Sequence, residues 1–311
     1  MHLGLTPWHI SGRVDARELA RQGALAESWG YESFWLPENH FGGSAAIPDP
    51  LMLLAAVAAN TTTIRLGTTS YLLPLRHPLQ AAEQVAVLDK LSGGRVILGV
   101  GRGYQPAMFD AFSVSRKDKR RIFEWCLSNM ISAWRGEPIP VGDGEEVILA
   151  PLPVQQPHPP IWVAAFGPKA LAQAGRLGMP YLASPMEPVE RLRANYQRHV
   201  AACEEAGTVV PPEVPVMRTV FVSDDADLVA RVREQLEIGV REVASSGLRR
   251  GLSLEPDDWA IVGGRSEVKD KVAAYVEQLG VTHLVVTRLR IGRLEPEALE
   301  RSVRLAAEIL G

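Results

Sequence analysis

The sequence predicts an α/β fold, a (βα)8 TIM barrel with insertions in the βα loops. Short apolar segments alternate with amphipathic ones along most of the chain, and eight strand-then-helix units can be counted. At 311 residues the chain exceeds the roughly 250 residues usual for such a barrel, which leaves room for insertions. A doubly wound sheet is the alternative, because it alternates too. Eight units and a terminal helix that can close the ring favour the barrel.

The first half of the chain contains four of these units. The strand candidates are HLGLTPW (2–8), SFWLPE (33–38), IRLGTTSYLLP (64–74) and RVILGVG (95–101). The helix candidates are DARELARQGALAESWG (15–30), PDPLMLLAAVAANT (48–61), HPLQAAEQVAVLDKLS (77–92) and RKDKRRIFEWCLSNMISAWRG (116–136). His77 and Pro78 suit the cap and first turn of the third helix, and the glycines of SGG end it.

The second half continues the alternation around two irregular stretches. Residues 136–159 are rich in proline and glycine, with one short strand candidate, EVILAP, and residues 245–262 are irregular. We interpret both as insertions in a single domain of residues 1–311, and loops of this length commonly act as lids. The strand candidates are IWVAAFG (161–167), PYLAS (180–184), PVMRTVFVS (215–223) and THLVVTRL (282–289). The helix candidates are KALAQAGRLG (169–178), PVERLRANYQRHVAACEEAG (188–207), ADLVARVREQLEIGV (226–240), SEVKDKVAAYVEQLG (266–280) and PEALERSVRLAAEIL (296–310).

Composition and charge indicate a cytoplasmic protein that binds neither nucleic acid nor membrane. The formal net charge is −3 without a long basic block, and hydrophobic residues make up 46% of the chain. The segment MHLGLTPWHISGRVD lacks the features of a signal peptide, and the longest apolar run, LMLLAAVAA, is too short to cross a bilayer. Two cysteines, Cys126 and Cys203, do not indicate a disulfide framework.

Three segments place polar or glycine residues at the ends of strand candidates, where barrels carry out their chemistry. Glu38, Asn39 and His40 end one strand. The segment GVGRGY (99–104) ends another, and its G-x-G-x-G spacing is not the dinucleotide fingerprint, nor do we predict a helix directly after it. Its glycines allow close backbone approach to a flat ligand. Arg102 is either a phosphate ligand or a solvated charge.

The third segment is FGPKAL (166–171), where Gly167 and Pro168 begin a helix directly after a strand. Free amides at a helix start can bind an anion, although a proline there is also simply a good helix start. In a barrel this turn and Arg102 would belong to neighbouring units and form a phosphate cradle. The sequence favours neither a metal centre, because its histidines lack ligand spacing, nor a serine nucleophile, because G-x-S-x-G does not occur.

The segment LGTTSYLLPLRHPLQAAEQVAVLDKLSGGRVILGVGRGY (66–104) resembles the bacterial luciferase-like superfamily of flavin-dependent monooxygenases and oxidoreductases. ESFWLPENHF, PPIWVAAFGPKALAQAGRLG and VGGRSEVKDKVAAYVEQLGVTHLVV are similar to its other units. The resemblance implies a (βα)8 barrel that binds flavin at its C-terminal face, with a non-proline cis peptide at Thr69–Ser70. The implied cofactor-binding residues are Thr69, Ser70, Gly101, Arg102, Gly103, Tyr104, Phe166, Gly167, Lys169 and Ala170.

The sequence also departs from the family pattern. Asn39 stands where luciferase has its catalytic histidine, and His40 matches the adjacent one. Phe166, Gly167 and Ala170 replace the acid, serine and threonine of luciferase's phosphate loop, so Lys169 or backbone amides would have to bind the phosphate. Light emission is therefore not expected. His40, with Glu38 and Asn39, is the candidate catalytic group, although His40 could instead only hydrogen-bond across a helix or subunit contact.

Three functions follow from the resemblance. The leading hypothesis is a monooxygenase that uses reduced FMN and O2 on a small, partly hydrophobic substrate, with a separate flavin reductase supplying electrons. The alternative is hydride transfer with the deazaflavin coenzyme F-420, whose acidic tail could meet the basic TRLRIGR (287–293). A flavin-binding protein without catalysis is the third.

The alanine-rich helix candidates predict a homodimer.

Overall fold

The computed structural model describes residues 1–10, 12–43, 46–245, 253 and 255–311. Contacts divide the chain into two compact units: a terminal unit of residues 1–9, 25–35 and 165–311, and a middle unit of residues 10–24 and 36–164. Each unit combines parallel strands with helices, so the predicted α/β class is confirmed. No helix in the described ranges is both long and apolar enough to cross a membrane.

Residues 1–164 contain β1 (His2–Leu5), α1 (Ala16–Ser28), β2 (Ser33–Leu36), α2 (Pro50–Ala58), β3 (Arg65–Thr68), β4 (Tyr71–Leu72), α3 (Pro78–Ser92), β5 (Val96–Gly101), α4 (Pro106–Ala111), α5 (Lys119–Trp134), β6 (Ile139–Pro140), β7 (Glu146–Val147) and β8 (Ile161–Ala164). Strands and helices alternate up to β3 and again around β5, whereas two strands, two helices and a short hairpin follow one another elsewhere in residues 1–164. Several helices begin with proline, whose fixed φ suits a first turn. In α2, Asp49 also caps the helix by accepting a hydrogen bond from the Met52 N–H at 3.1 Å. As predicted, α3 begins at Pro78 and ends before Gly93, which has a φ of 69°.

In the middle unit, β5 is the centre of a parallel sheet. Its neighbours are β3, which pairs Leu66 with Val96, and β8, which pairs Ile161 with Leu98. β4 pairs with the last residues of β5. Every residue of β5 is buried, and burial on both faces explains why this strand is a continuous apolar run. The buried strand therefore fixes the position of the backbone at Arg102 and Gly103, which follow it directly.

The remaining elements belong to the terminal unit. They are α6 (Pro168–Arg176), β9 (Tyr181–Leu182), α7 (Val189–Ala206), β10 (Pro215–Val222), α8 (Ala226–Ser245), β11 (Ala260–Gly263), α9 (Arg265–Leu279), β12 (His283–Thr287) and α10 (Pro296–Leu310). All strands of this unit except β9 pair in parallel in the order β11, β10, β12, β1, β2. Their carboxyl ends therefore point in one direction, and β10 is buried along its whole length.

The structure corrects three details of the predicted elements. Part of the stretch expected to be irregular is β11, whose four residues are too few to show an alternating pattern. A short helix, α4, follows GVGRGY, because Pro106 starts a turn that buries Met108 and Phe109. The strand expected over residues 64–74 is two strands, β3 and β4. Of the predicted insertion at 245–262, residues 246–252 and 254 lie outside the described residues.

Candidate functional site

The polar residues after β2 form a hydrogen-bonded group with the segment that contains β4. The side chain of Glu38 is fully buried, and its Oε1 accepts a hydrogen bond from Arg76 Nη1 at 2.8 Å. Its Oε2 accepts one from the Leu72 N–H at 2.9 Å. His40 Nε2 lies 2.8 Å from Glu38 Oε1. A buried carboxylate needs such partners, so Glu38 holds these three groups in a fixed arrangement.

His40 is oriented on one side by this carboxylate and on the other by aromatic rings. Its side chain is 8% exposed. Its ring centroid lies 5.0 Å from that of Phe112, edge to face, and 5.9 Å from that of Phe41. With Nε2 directed at Glu38, Nδ1 has no hydrogen-bond partner among the described residues. An imidazole held in this way can accept or release a proton at Nδ1.

Asn39 closes a loop. Its N–H donates to the Ile47 carbonyl at 2.9 Å, and its Oδ1 accepts a hydrogen bond from the Ile47 N–H. These two bonds join the ends of residues 39–47 and occupy the amide oxygen of Asn39. The structure thus gives Asn39 a structural role that the sequence pattern did not suggest, and a catalytic role for it stays a prediction.

The predicted ring-binding segments after β3 and β5 contact each other. The peptide between Thr69 and Ser70 is cis, as the resemblance predicted. A Cβ added to Gly101 would lie 2.1 Å from Ser70 Oγ and 3.0 Å from Ser70 Cβ. Only a glycine therefore lets the end of β5 approach this peptide so closely.

The glycine-rich end of β5 is held from α4 and α5. Gly103 has a φ of 69°, and a Cβ there would lie 2.5 Å from Met108 Cε. Lys119 Nζ donates a hydrogen bond to the Gly103 carbonyl at 3.1 Å. Tyr104 is 64% exposed, so its ring is accessible to a ligand.

Arg102, which the sequence predicted as a phosphate ligand, lies in a group of cations that no sequence pattern indicated. Its guanidinium is partly buried and donates no hydrogen bond to a described residue. Burial lowers the pKa of Arg102, and the positive charge of Arg120 lowers it further, whereas the smaller effect of the Glu124 carboxylate raises it. Burial also lowers the pKa of Lys119, with additional repulsion from Arg102 and Arg116. We call these four cations the Arg102 cluster. An anion bound among them would relieve the repulsion.

In the terminal unit, the predicted phosphate turn begins α6. Gly167 precedes the helix with a φ of 93°, and Pro168 is its first residue. The Ala170 N–H already donates to the Gly167 carbonyl at 3.0 Å, and Ala170 is buried. Phe166 and Lys169 are exposed beside this turn. Of the residues predicted here, the Lys169 ammonium is thus the accessible charge.

Sequence reasoning missed Arg191, which lies near this turn. Its Cζ is 5.8 Å from the centroid of the Phe166 ring, and its Nε is 3.7 Å from Glu187 Oε1. That Nε is buried without a hydrogen-bond partner in the described part of the chain. Because Arg102 lies in the middle unit and this turn in the terminal unit, a phosphate cradle formed by both stays a prediction.

Comparison with known sequences identifies the family. The sequence model of the family described as luciferase-like monooxygenase matches residues 3–283. The chain belongs to the luciferase-like monooxygenase family.

Among curated luciferase-like relatives, the chain is similar to the oxygenase component of the flavin-dependent trigonelline monooxygenase of Acinetobacter baylyi. The identity is 30% over 65% of this chain and 58% of the relative. The match covers less than two thirds of the length of each of three curated relatives, at 64%, 51% and 58%.

Solved structures of luciferase-like enzymes match the whole chain. A monooxygenase of Streptomyces bottropensis has a TM-score of 0.80 and 26% identity over 100% of this chain and 98% of its own. The oxygenating constituent of 3,6-diketocamphane monooxygenase from Pseudomonas putida, solved with FMN, has a TM-score of 0.81 and 22% identity over 99% and 98%. A coenzyme F420-dependent tetrahydromethanopterin reductase of Methanopyrus kandleri has a TM-score of 0.75 and 19% identity over 99% and 97%. These similarities confirm the predicted fold class, that of luciferase-like (βα)8 barrels.

Proposed function

We propose that this chain is the oxygenase of a flavin-dependent monooxygenase, which uses reduced FMN and dioxygen to oxygenate a small, partly hydrophobic organic substrate. The observation that carries the proposal is the Arg102 cluster beside the glycine-rich end of β5. In this cluster the Arg102 guanidinium is partly buried and has no hydrogen-bond partner among the described residues. The other cations of the cluster repel one another and Arg102.

The residues present fit a flavin that ends in a phosphate. A phosphate monoester carries about −1.5 to −2 charge at neutral pH, and arginine binds it through paired, charge-assisted hydrogen bonds. Arg102, Lys119 and Arg120 would hold that group. The flat ring would lie against Gly101 and the Thr69–Ser70 peptide, where a side chain on residue 101 would collide with Ser70. When bound, reduced FMN supplies the electrons for oxygen chemistry, and the protein supplies position and shielding from water.

His40 would move a proton at its Nδ1 during the reaction, while Glu38 holds the ring through Nε2. This assignment uses the one nitrogen of His40 that has no partner among the described residues. Glu38 is a positioning residue, since both of its oxygens are occupied by protein donors.

Two partners are part of the proposal. GVGRGY does not have the spacing of a dinucleotide site, so a separate flavin reductase would deliver reduced FMN. A second copy of the chain would pack against α2 and α3 in a two-fold dimer. Large apolar side chains on these helices are exposed, namely Met52 (74%), Val87 (43%) and Leu91 (64%). Exposed apolar residues grouped on neighbouring helices are typical of an interface.

The second candidate function is hydride transfer with the deazaflavin coenzyme F-420. Arg288, Arg290 and Arg293 follow β12 and favour a ligand with an acidic tail. The third candidate, flavin binding without catalysis, is consistent with Asn39 acting only as a loop closure.

Titration of the purified protein with FMN and with coenzyme F-420, each oxidised and reduced, separates these candidates. The proposal predicts that reduced FMN binds at least about tenfold more tightly than the deazaflavin coenzyme, which corresponds to about 1.4 kcal/mol. Tighter binding of the deazaflavin coenzyme would reverse the order of the two enzymatic candidates. FMN binding without oxygen-dependent turnover of any substrate tested would support the non-catalytic one.

A further inference from the structure

A cleft lies between the middle of α8 and the segment that joins β12 to α10. Its volume is ≈ 400 Å³, and it is lined by Gln235, Ile238, Gly239, Leu289, Arg290, Gly292 and Arg293. Small-molecule sites range from about 300 to 1,000 Å³. We call it the α8 cleft. It follows the carboxyl end of β12, and strand carboxyl ends are where (βα)8 enzymes bind their ligands.

The cleft is positively charged at one end. Arg293 is exposed, and no carboxylate in the described part of the chain pairs with it. Arg290 has a φ of 68°, a conformation uncommon for a residue other than glycine, and the chain turns at this point. Arg290 and Arg293 both line the cleft, and two arginines in one cleft suit a carboxylate.

The same cleft has an acceptor that nothing in the described chain uses. Gln235 Nε2 lies 3.4 Å from the Arg293 carbonyl and donates to it. Gln235 Oε1 is buried and accepts no hydrogen bond from a described residue. A buried acceptor left in this state is costly, and a ligand hydroxyl or N–H would satisfy it.

Its walls are apolar. Ile238 is 51% exposed and Leu289 is 37% exposed. Gly239 also lines the cleft, and a Cβ there would lie 3.3 Å from Arg290 Cδ, so a larger residue would crowd the cleft. Apolar walls next to cations fit a ligand that has an apolar body and an acidic end, and they fit a purely polar acidic chain less well.

We propose that the α8 cleft binds an amphipathic organic carboxylate, with the carboxylate on Arg290 and Arg293 and the apolar body on Ile238 and Leu289. That this ligand is the enzyme's substrate rests on the proposed function, whereas the binding itself does not.

The test is a titration of flavin-free protein with 2-naphthoate, with its uncharged analogue 2-naphthamide, and with a di-γ-glutamate that imitates an acidic coenzyme tail. Naphthoate should bind at least about tenfold more tightly than naphthamide, because only naphthoate forms charge-assisted hydrogen bonds. Arg293→Met should weaken naphthoate about tenfold and leave naphthamide unchanged. Gly239→Leu should weaken both, because the new side chain fills the cleft.

Arg301→Met is the matched control, since Arg301 is an exposed cation on α10 that does not line the cleft. It should change neither affinity. Equal affinities for naphthoate and naphthamide, or equal effects of the two methionine substitutions, would overturn the proposal, and so would tighter binding of the diglutamate. FMN titrated into the same samples keeps the two proposals apart. Loss of FMN binding with naphthoate binding intact would contradict only the proposed function.

Discussion

Replacing Arg102 by alanine should weaken FMN much more than riboflavin, which lacks the phosphate. The guanidinium is partly buried and has no hydrogen-bond partner among the described residues, so its donors are available to a ligand. A hydrogen bond to a charged group contributes about 1.5–3 kcal/mol. Because Arg102 can offer two such bonds but is already partly desolvated, we count one net bond. The expected loss for FMN is therefore about 10- to 100-fold, since each ~1.4 kcal/mol is a factor of ten.

Quenching of flavin fluorescence measures both affinities directly. Arg121→Ala is the matched control, because Arg121 belongs to the same basic run but is 77% exposed and lies 3.6 Å from Asp118. The control should leave the FMN affinity within about twofold of the wild type, as expected for an exposed ion pair. Equal losses for FMN and riboflavin in Arg102→Ala, or an equal loss of FMN in Arg121→Ala, would refute the role assigned to Arg102.

Three further predictions concern stability and assembly. Burial lowers the pKa of His199, so the unfolded state binds a proton more readily than the folded state, and the free energy of unfolding should decrease as the pH is lowered below the unfolded pKa of about 6.5. In denaturant unfolding at several pH values, His199→Gln should show a smaller decrease than the wild type. The same pH dependence in both proteins would count against this role of His199. Leu91→Glu places a charge on the proposed dimer surface and should convert the dimer to a monomer, as measured by light scattering. Val209→Glu, at an exposed site outside α2 and α3, should leave the dimer intact. A wild-type protein that is monomeric would disprove the interface. Gly101→Ala should lower the free energy of unfolding by about 1–3 kcal/mol, because the new methyl group collides with Ser70. Adding Ser70→Gly should restore most of this loss. If Gly101→Ala alone leaves the free energy of unfolding unchanged, the contact with Ser70 does not require a glycine at position 101.

The fold could be predicted largely because its signals are local. The helix α3 shows this, since Pro78 and Gly93 start and end it through their own backbone preferences. The strand β11 could not be predicted, because its four residues are a strand through pairing with β10, and that pairing is distant in sequence. The same holds for α4, whose six residues are too few for a helical period.

The candidate site was predictable at strand ends and less so elsewhere. Glu38 and His40 could be proposed from their place after β2, but the bond from Arg76 to Glu38 joins residues 38 positions apart and leaves no local pattern. The sequence shows Lys119 only as part of a helix, although its ammonium donates a hydrogen bond to the Gly103 carbonyl in the structure. In physical terms, the sequence indicates where charge is placed along the chain, and packing decides which charges meet.

Mixing the protein with reduced FMN and then with oxygenated buffer in a stopped-flow instrument tests the central claim most directly. The flavin oxidises freely in water, so a protein that binds it and excludes solvent should change the time course with which the oxidised-flavin absorbance returns. We predict a slower, separate phase with the wild-type protein that is lost in Arg102→Ala at the same flavin concentration. An identical time course with and without protein, together with turnover of the reduced deazaflavin coenzyme and an acceptor, would contradict the monooxygenase assignment.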